Sequence, residues 1–246
     1  FNLIEIEELK RTCKKNKLIL ESGCMLRFHP NLRWLKAFLH KNELGSLQYI
    51  RSSVGQFLPD WRPGRDYLQG YAAKRKWGGG VVLDLIHEID LLLWLFGDID
   101  EVNSLFGFSN LLKIETESIA EIIFKLKSGS IAQLHMDYVR PNYQRSTEIV
   151  LDKGIIFWDY VKGEITIEEK GKSSRLVHAV PNNFERNHMY IEEAKHFLNS
   201  INGNLKNEAS DIKSAEEALK VALAIHKSNK MKKSILISEV ENEFII

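Results

Sequence analysis

The chain has 246 residues, 44% of them hydrophobic, and its 34 basic and 33 acidic side chains leave a net charge of +1. That length can bury a sizeable core, and the charge balance removes any whole-chain electrostatic case for binding nucleic acid or an anionic membrane. No apolar run reaches the roughly 20 residues of a membrane-spanning helix, and the two cysteines, Cys13 and Cys24, lack metal-ligand spacing, so a cytoplasmic protein without a metal site is expected.

Ile6, Leu9 and Cys13 recur at helical spacing and predict a helix over Ile4 to Asn16. Leu18 to Met25 follows as a short strand, so the chain opens on half of an α/β unit whose strand needs parallel neighbours. A second helix begins at Pro30, a favourable first-turn proline, buries Trp34, Leu35, Phe38 and Leu39, and is ended by Gly45. Leu47 to Gln56 reads as a strand. The aromatic stretch from Phe57 to Trp77, broken by Pro59, Pro63, Gly64 and Gly70, reads as a long functional loop. Gly78 to Gly80 then lead into an apolar helix ending at Phe96.

From Glu101 the period falls to two. Strands are predicted over Val102 to Phe108, Ser118 to Leu126 and Ser130 to Tyr138, the last two joined by a hairpin at Lys127-Ser128-Gly129. Thr147 to Leu151, Ile155 to Tyr160, Glu164 to Glu169 and Arg175 to His178 continue the pattern. Helices over Asn187 to Ile201 and Ser210 to Ser228, the second capped by Ser210 or Asp211, and a strand over Ser234 to Ser238 close the chain. The fold class is α+β: a large, mostly antiparallel mixed sheet with helices on one face.

Three features carry chemistry. In Gly78-Gly79-Gly80-Val81-Val82-Leu83-Asp84-Leu85-Ile86-His87-Glu88-Ile89-Asp90, a continuous helix sets Asp84, His87 and Asp90 on one face. A carboxylate beside an imidazole fixes its tautomer and raises its basicity, which suits a general acid/base; the alternative is that His87 and Asp90 merely satisfy each other, or a helix end, at the core's edge. The glycines permit close approach by a ligand or by another segment of the chain. Next, Arg27 and His29 stand where a strand meets a helix, the usual ligand position in open α/β sheets; equally, Arg27 can pair with a carboxylate and His29 begin the helix. Finally, Asp60, Trp61, Arg62, Arg65, Tyr67, Tyr71, Lys74 and Trp77 of the aromatic loop are groups that stack on and hydrogen-bond to a sugar, or that furnish a protein interface.

Taken in order, LRFHP, QFLPDWRPGRDY, GGGVVLDLIHEIDLLLWLFGDIDEV, MYIEEAKHFLNSINGN and SAEEALKVALAIHKS resemble the glucose–fructose oxidoreductase/inositol dehydrogenase (Gfo/Idh/MocA) family over essentially the whole chain. The resemblance implies an NAD(P)-binding Rossmann domain followed by a substrate domain whose sheet commonly forms a dimer interface. By it, residues 1–26 are the last helix and strand of a truncated Rossmann domain and 27–246 the substrate-binding and dimerisation domain. The family's glycine-rich turn and its Glu-Lys-Pro segment are expected upstream of Phe1, so this chain alone is not expected to bind NAD or NADP tightly.

The resemblance also makes His87 the proton acceptor from a substrate hydroxyl and Asp84 its partner, at a separation of three rather than the commoner four. Arg27, Tyr71 and Trp77 match positions near the substrate, with His29, Asp60 and Arg65 as further candidates; Met25 stands where many members have asparagine. The loop resembles a subgroup associated with cell-surface sugars. The expected activity is therefore NAD(P)-dependent oxidation of a secondary alcohol on a sugar or nucleotide-activated sugar, by a homodimer or higher homo-oligomer joined through the sheet. The alternative is a non-catalytic sugar-binding or dimerisation module.

Overall fold

The two-residue alternation becomes a nine-stranded sheet in the computed structural model, which describes residues 3–203 and 211–240. Its strands are β1 (Leu47–Gly55), β2 (Ile99–Gly107), β3 (Ile119–Leu126), β4 (Ile131–Asp137), β5 (Gln144–Leu151), β6 (Gly154–Asp159), β7 (Glu164–Glu169), β8 (Arg175–Ala179) and β9 (Ile235–Leu236). They lie in the order β8-β7-β6-β5-β1-β4-β3-β2-β9, and every pairing is antiparallel except β1 with β4.

The register aligns one apolar row across the sheet: Val102, Phe124, Ala132, Ile50, Ile149, Ile156 and Ile167 are successive neighbours, and all are buried. Side chains one residue away point to the other face, which leaves Tyr49, Leu105, Ile123, Ile131, Phe157 and Leu176 exposed. Helices cover the inner face. α6 (Ile212–Met231) and α4 (Ile86–Phe96) pack Val221, Ile225, Ile89 and Leu92 onto the β1–β4 half. α2 (Pro30–His40) sets Leu32 and Leu35 against β5–β7, with Met189 of α5 (Arg186–Ile201). Each such aliphatic side chain contributes about 1.5–3 kcal/mol by leaving water. The α+β class, the mixed sheet and the one-sided helices are as expected from the sequence.

Helix α1 (Leu3–Asn16) forms as its spacing predicts; Leu3 joins the core and Lys10 pairs with Glu216 of α6. Asp211 caps α6, its Oδ1 accepting from Ser214 N at 2.8 Å, whereas Ser210 and the end of the NSINGN motif lie outside the described residues.

Three predicted elements need correction. Leu18 to Met25 is not a strand: it is irregular apart from one bridge, Glu21 to Asp211, and Met25–Phe28 is a 3-10 turn. Strand geometry needs a ladder of partners, and no described strand runs beside this segment. The helix expected to follow Gly80 and run to Phe96 is not continuous either. α3 (Val81–Asp84) stops at Leu85, which leaves helical geometry at φ −100°, ψ 29°, and α4 begins at Ile86. Hydrogen bonds on either side of the break hold Asp84 and Asp90 toward different parts of the fold. At the chain's other end, the Ser234 to Ser238 strand contracts to the two residues of β9, and Ile237–Glu239 forms a 3-10 turn.

Candidate active site around Asp84 and His87

The glycine triplet has a structural purpose. A Cβ at Gly79 would meet the carbonyl oxygens of Tyr71 and Ala72, and one at Gly80, where φ is +111°, would meet the Glu117 carboxylate. Gly79 N donates to Lys74 O at 3.0 Å and Gly80 N to Ala72 O at 3.1 Å, so the aromatic loop is clamped onto the start of α3. From the strand side, Val81 N donates to Glu117 O at 3.2 Å and Val82 N to Glu117 Oε1 at 3.3 Å. Burial pushes the Glu117 carboxyl up to about 7. Of the two roles open to these glycines, close approach by another segment is the one built here. A pyrophosphate does not fit a cradle already filled by two carbonyls and a carboxylate.

The clamp fixes Asp84 at the end of α3. One of its carboxylate oxygens accepts from the Tyr71 hydroxyl, and the other accepts from the Tyr138 hydroxyl at 2.9 Å. Tyr138 follows β4 directly, is fully buried, and meets Trp61 edge-on at 5.4 Å. Burial raises the Asp84 carboxyl above its ordinary range, opposed by the two tyrosine hydrogen bonds and by Arg62. The Tyr71 phenol is pushed up to about 12, chiefly by burial and then by Asp84, so it stays a donor. Asp84 opens into a cavity of about 410 Å³ whose walls include Trp61, Arg62, Arg65, Tyr67 and Tyr71.

His87 lies beyond the break, and no hydrogen bond links it to Asp84 or Asp90. Burial lowers its pKa, as do Arg145 and Arg186, while Asp90 opposes them. Arg145, which sequence reading passed over, pairs with Glu88 at 2.7 Å; both are buried. Its position on β5 shares the inward parity of Ile149 and Leu151, and a cation at that parity was the signal available. Tyr138 is legible in the same way, continuing the inward row of Leu134 and Met136.

The other predicted residues disperse. Arg27 makes a buried two-pronged pair with Asp90, at 3.0 Å from Nε and 2.6 Å from Nη2. The single face of Asp84, His87 and Asp90 expected from an unbroken helix is therefore not formed. His29 caps α2, its Nδ1 accepting from Asn31 N at 3.2 Å, and its ring packs among Trp158, Tyr160 and Phe184. Burial lowers its pKa to about 4. Arg65 and Tyr71 line the Asp84 cavity; Asp60 and Trp77 are exposed and stand outside it. Among the described residues there is no cluster of three acidic, histidine or cysteine side chains placed to hold a metal, both cysteines are free, and no helix is long and apolar enough to cross a membrane.

Comparison with known proteins gives this geometry a context. Residues 32–157 match the profile described as the GFO/IDH/MocA C-terminal domain. A myo-inositol 2-dehydrogenase from Thermotoga maritima is 25% identical over 97% of this chain and 70% of its own length. Levoglucosan dehydrogenase in complex with NADH and levoglucosan superposes with a TM-score of 0.84 at 15% identity, over 97% of this chain and 71% of that one. UDP-N-acetylglucosamine 3-dehydrogenase from Acidithiobacillus ferrooxidans gives a TM-score of 0.74 at 18% identity, over 94% of this chain and 68% of that one. At such identities the two superpositions speak for the fold alone.

Proposed function

The chain belongs to the GFO/IDH/MocA family, and from that premise we propose that it is the substrate-binding portion of an NAD(P)-dependent oxidoreductase acting on a secondary alcohol of a sugar or nucleotide-activated sugar. In this reading residues 1–26 close a nucleotide-binding domain and 27–246 form the substrate domain. The observation that carries it is the Asp84 carboxylate, held by two tyrosine hydroxyls at the wall of a cavity, with the half-buried His87 three residues on, past the break at Leu85. The curated relative acts on a cyclic polyol, and the structural neighbours are named for levoglucosan and for a nucleotide-activated sugar, which supports that substrate class.

The nicotinamide, when bound, supplies the hydride acceptor. The chain's own residues bind and take a proton. Asp84 accepts a substrate hydroxyl, and because Tyr71 and Tyr138 both donate to it, its oxygens are fixed before the substrate arrives. His87 is the proton acceptor. Its burial first, and then the positive charge of Arg145 and Arg186, lower its pKa and so favour the neutral imidazole, the form a base needs.

The test uses the complete protein with both nicotinamide cofactors and a panel of polyols. The acid limb of kcat/KM should fall below pH 6.5, since burial and the two arginines depress the His87 pKa. His87→Ala should lower kcat by about 10²–10⁴-fold. Unchanged turnover in that variant would remove His87 from the mechanism.

We also propose that the outer sheet face joins two copies. Tyr49, Leu105, Ile123, Ile131 and Phe157 form an apolar surface that a monomer would leave in water, and it is the observation favouring a dimerisation role. Ile123→Lys with Ile131→Lys should shift sedimentation to the monomer; a monomeric parent protein would refute it. A cytoplasmic setting fits the two free cysteines.

A further inference from the structure

The cavity beside Asp84 carries a second feature that polyol binding does not use. Its wall contains Arg62 and Arg65, the ends of the turn Arg62-Pro63-Gly64-Arg65. Arg65 N donates to Arg62 O at 3.1 Å, and Gly64 has φ +80°. Proline second and a positive-φ glycine third make a type II turn, which holds its first and fourth residues within about 7 Å at their Cα atoms. Two guanidinium-bearing residues are thus fixed side by side by the backbone.

Neither guanidinium is used up by the fold. Arg62 lies over the Tyr71 ring at 5.7 Å and feels Asp84 electrostatically, but neither it nor Arg65 forms an ion pair among the described residues. Neighbouring cations differ: Lys74 pairs with Glu115 at 3.4 Å, and Arg75 donates to Glu115 O at 2.9 Å. The other acidic group on the cavity wall, Asp66, spends Oδ1 on Leu68 N at 2.9 Å. The cavity therefore has a hydroxyl-accepting carboxylate, aromatic walls from Trp61, Tyr67 and Tyr71, and two guanidiniums without an ion pair among the described residues.

We propose that the Arg62–Arg65 turn is an anion clamp, and that the substrate is a polyol carrying an oxyanion, either a phosphate or a carboxylate. The polyol offers hydroxyls to Asp84 and stacks on the aromatic wall, while the oxyanion bridges the two guanidiniums, whose fork geometry matches both anions. This rests on the polyol reading above and narrows it to charged sugars.

The experiment measures equilibrium binding to the complete protein by calorimetry. The probes are UDP-N-acetylglucosamine, glucose 1-phosphate and glucuronate, with glucose and myo-inositol as neutral counterparts. An anionic probe should bind about tenfold or more tightly than its neutral counterpart, with affinity falling as salt is raised. In Arg62→Gln/Arg65→Gln that preference should vanish while the thermal midpoint holds, both side chains being exposed. Preference for the two phosphate probes identifies a phosphorylated ligand; preference for glucuronate identifies a sugar acid. Equal binding of charged and neutral probes, a preference that survives the double substitution, or no binding of any probe would overturn the clamp. Arginine-dependent binding without nicotinamide-linked turnover of any probe would leave the clamp standing and remove the oxidoreductase reading.

Discussion

Glu117→Gln should make the protein more stable in alkali and leave it almost unchanged in acid. The native carboxyl is 5% exposed, sits against Gly80, and accepts from Val82 N. Burial raises its pKa from an ordinary 4.5 to about 7. The unfolded chain gives up that proton near pH 4.5 and the folded protein not until about pH 7, so folding holds on to a proton between the two values. Stability falls as pH rises through that window, and the penalty is complete above pH 7. With each pKa unit worth about 1.4 kcal/mol, the full penalty is about 3 kcal/mol. Glutamine keeps an oxygen for Val82 N and does not ionise, so it escapes the penalty. Urea unfolding of both proteins at pH 4.5 and pH 8 measures it: the difference should be near zero in acid, apart from any constant cost of the amide, and grow by about 3 kcal/mol in alkali. A difference independent of pH would refute the assignment of a high pKa to Glu117.

Two further substitutions test the scaffold around the site. Gly79→Ala would press a methyl group onto the carbonyls of Tyr71 and Ala72 and should cost about 1–3 kcal/mol while loosening Tyr71 from Asp84, read by denaturant midpoint and by KM together. Arg27→Ala strands the buried Asp90 carboxylate and should cost about 3–5 kcal/mol, whereas Arg27→Met with Asp90→Leu should recover most of it; equal losses in the single and double variants would count against a buried pair.

Much of the sheet was legible because its inner row is sharply apolar: Ile122, Phe124 and Leu126 alternate with Glu121, Ile123 and Lys125, and only one register buries the first set. The parallel pairing of β1 with β4 was not legible, since strand periodicity says nothing about neighbours. The break at Leu85 escaped for a similar reason. Leu85 is a good helix former, and what breaks the helix is tertiary: tyrosines from the loop and from the end of β4 hold Asp84, and Arg27 holds Asp90 from far along the chain. In the candidate site, Asp84, Tyr71 and Arg65 were found from side-chain chemistry and meet at one cavity. Glu117 was missed because its role comes from meeting the start of α3, and Tyr138, whose inward parity is readable, gives no sign in sequence that its hydroxyl reaches Asp84.

The position of β1 has a consequence for how the chain reaches this fold. It precedes the other eight strands of this sheet in the chain, yet both its neighbours, β4 and β5, are encoded after the aromatic loop, the glycine clamp and two further strands. Ile50 and Val54 therefore find their strand partners only in segments encoded about 80 residues or more further on. In the finished sheet β1 stands between β4 and β5, where the two hydrophobic clusters meet. Such long-range closure is slow compared with hairpin formation. Just past β1, Gln56 N and Leu58 N donate to the carbonyls of Asp137 and Tyr138, at 3.2 and 2.9 Å, so the parallel pairing of β1 with β4 also anchors the tyrosine that meets Asp84.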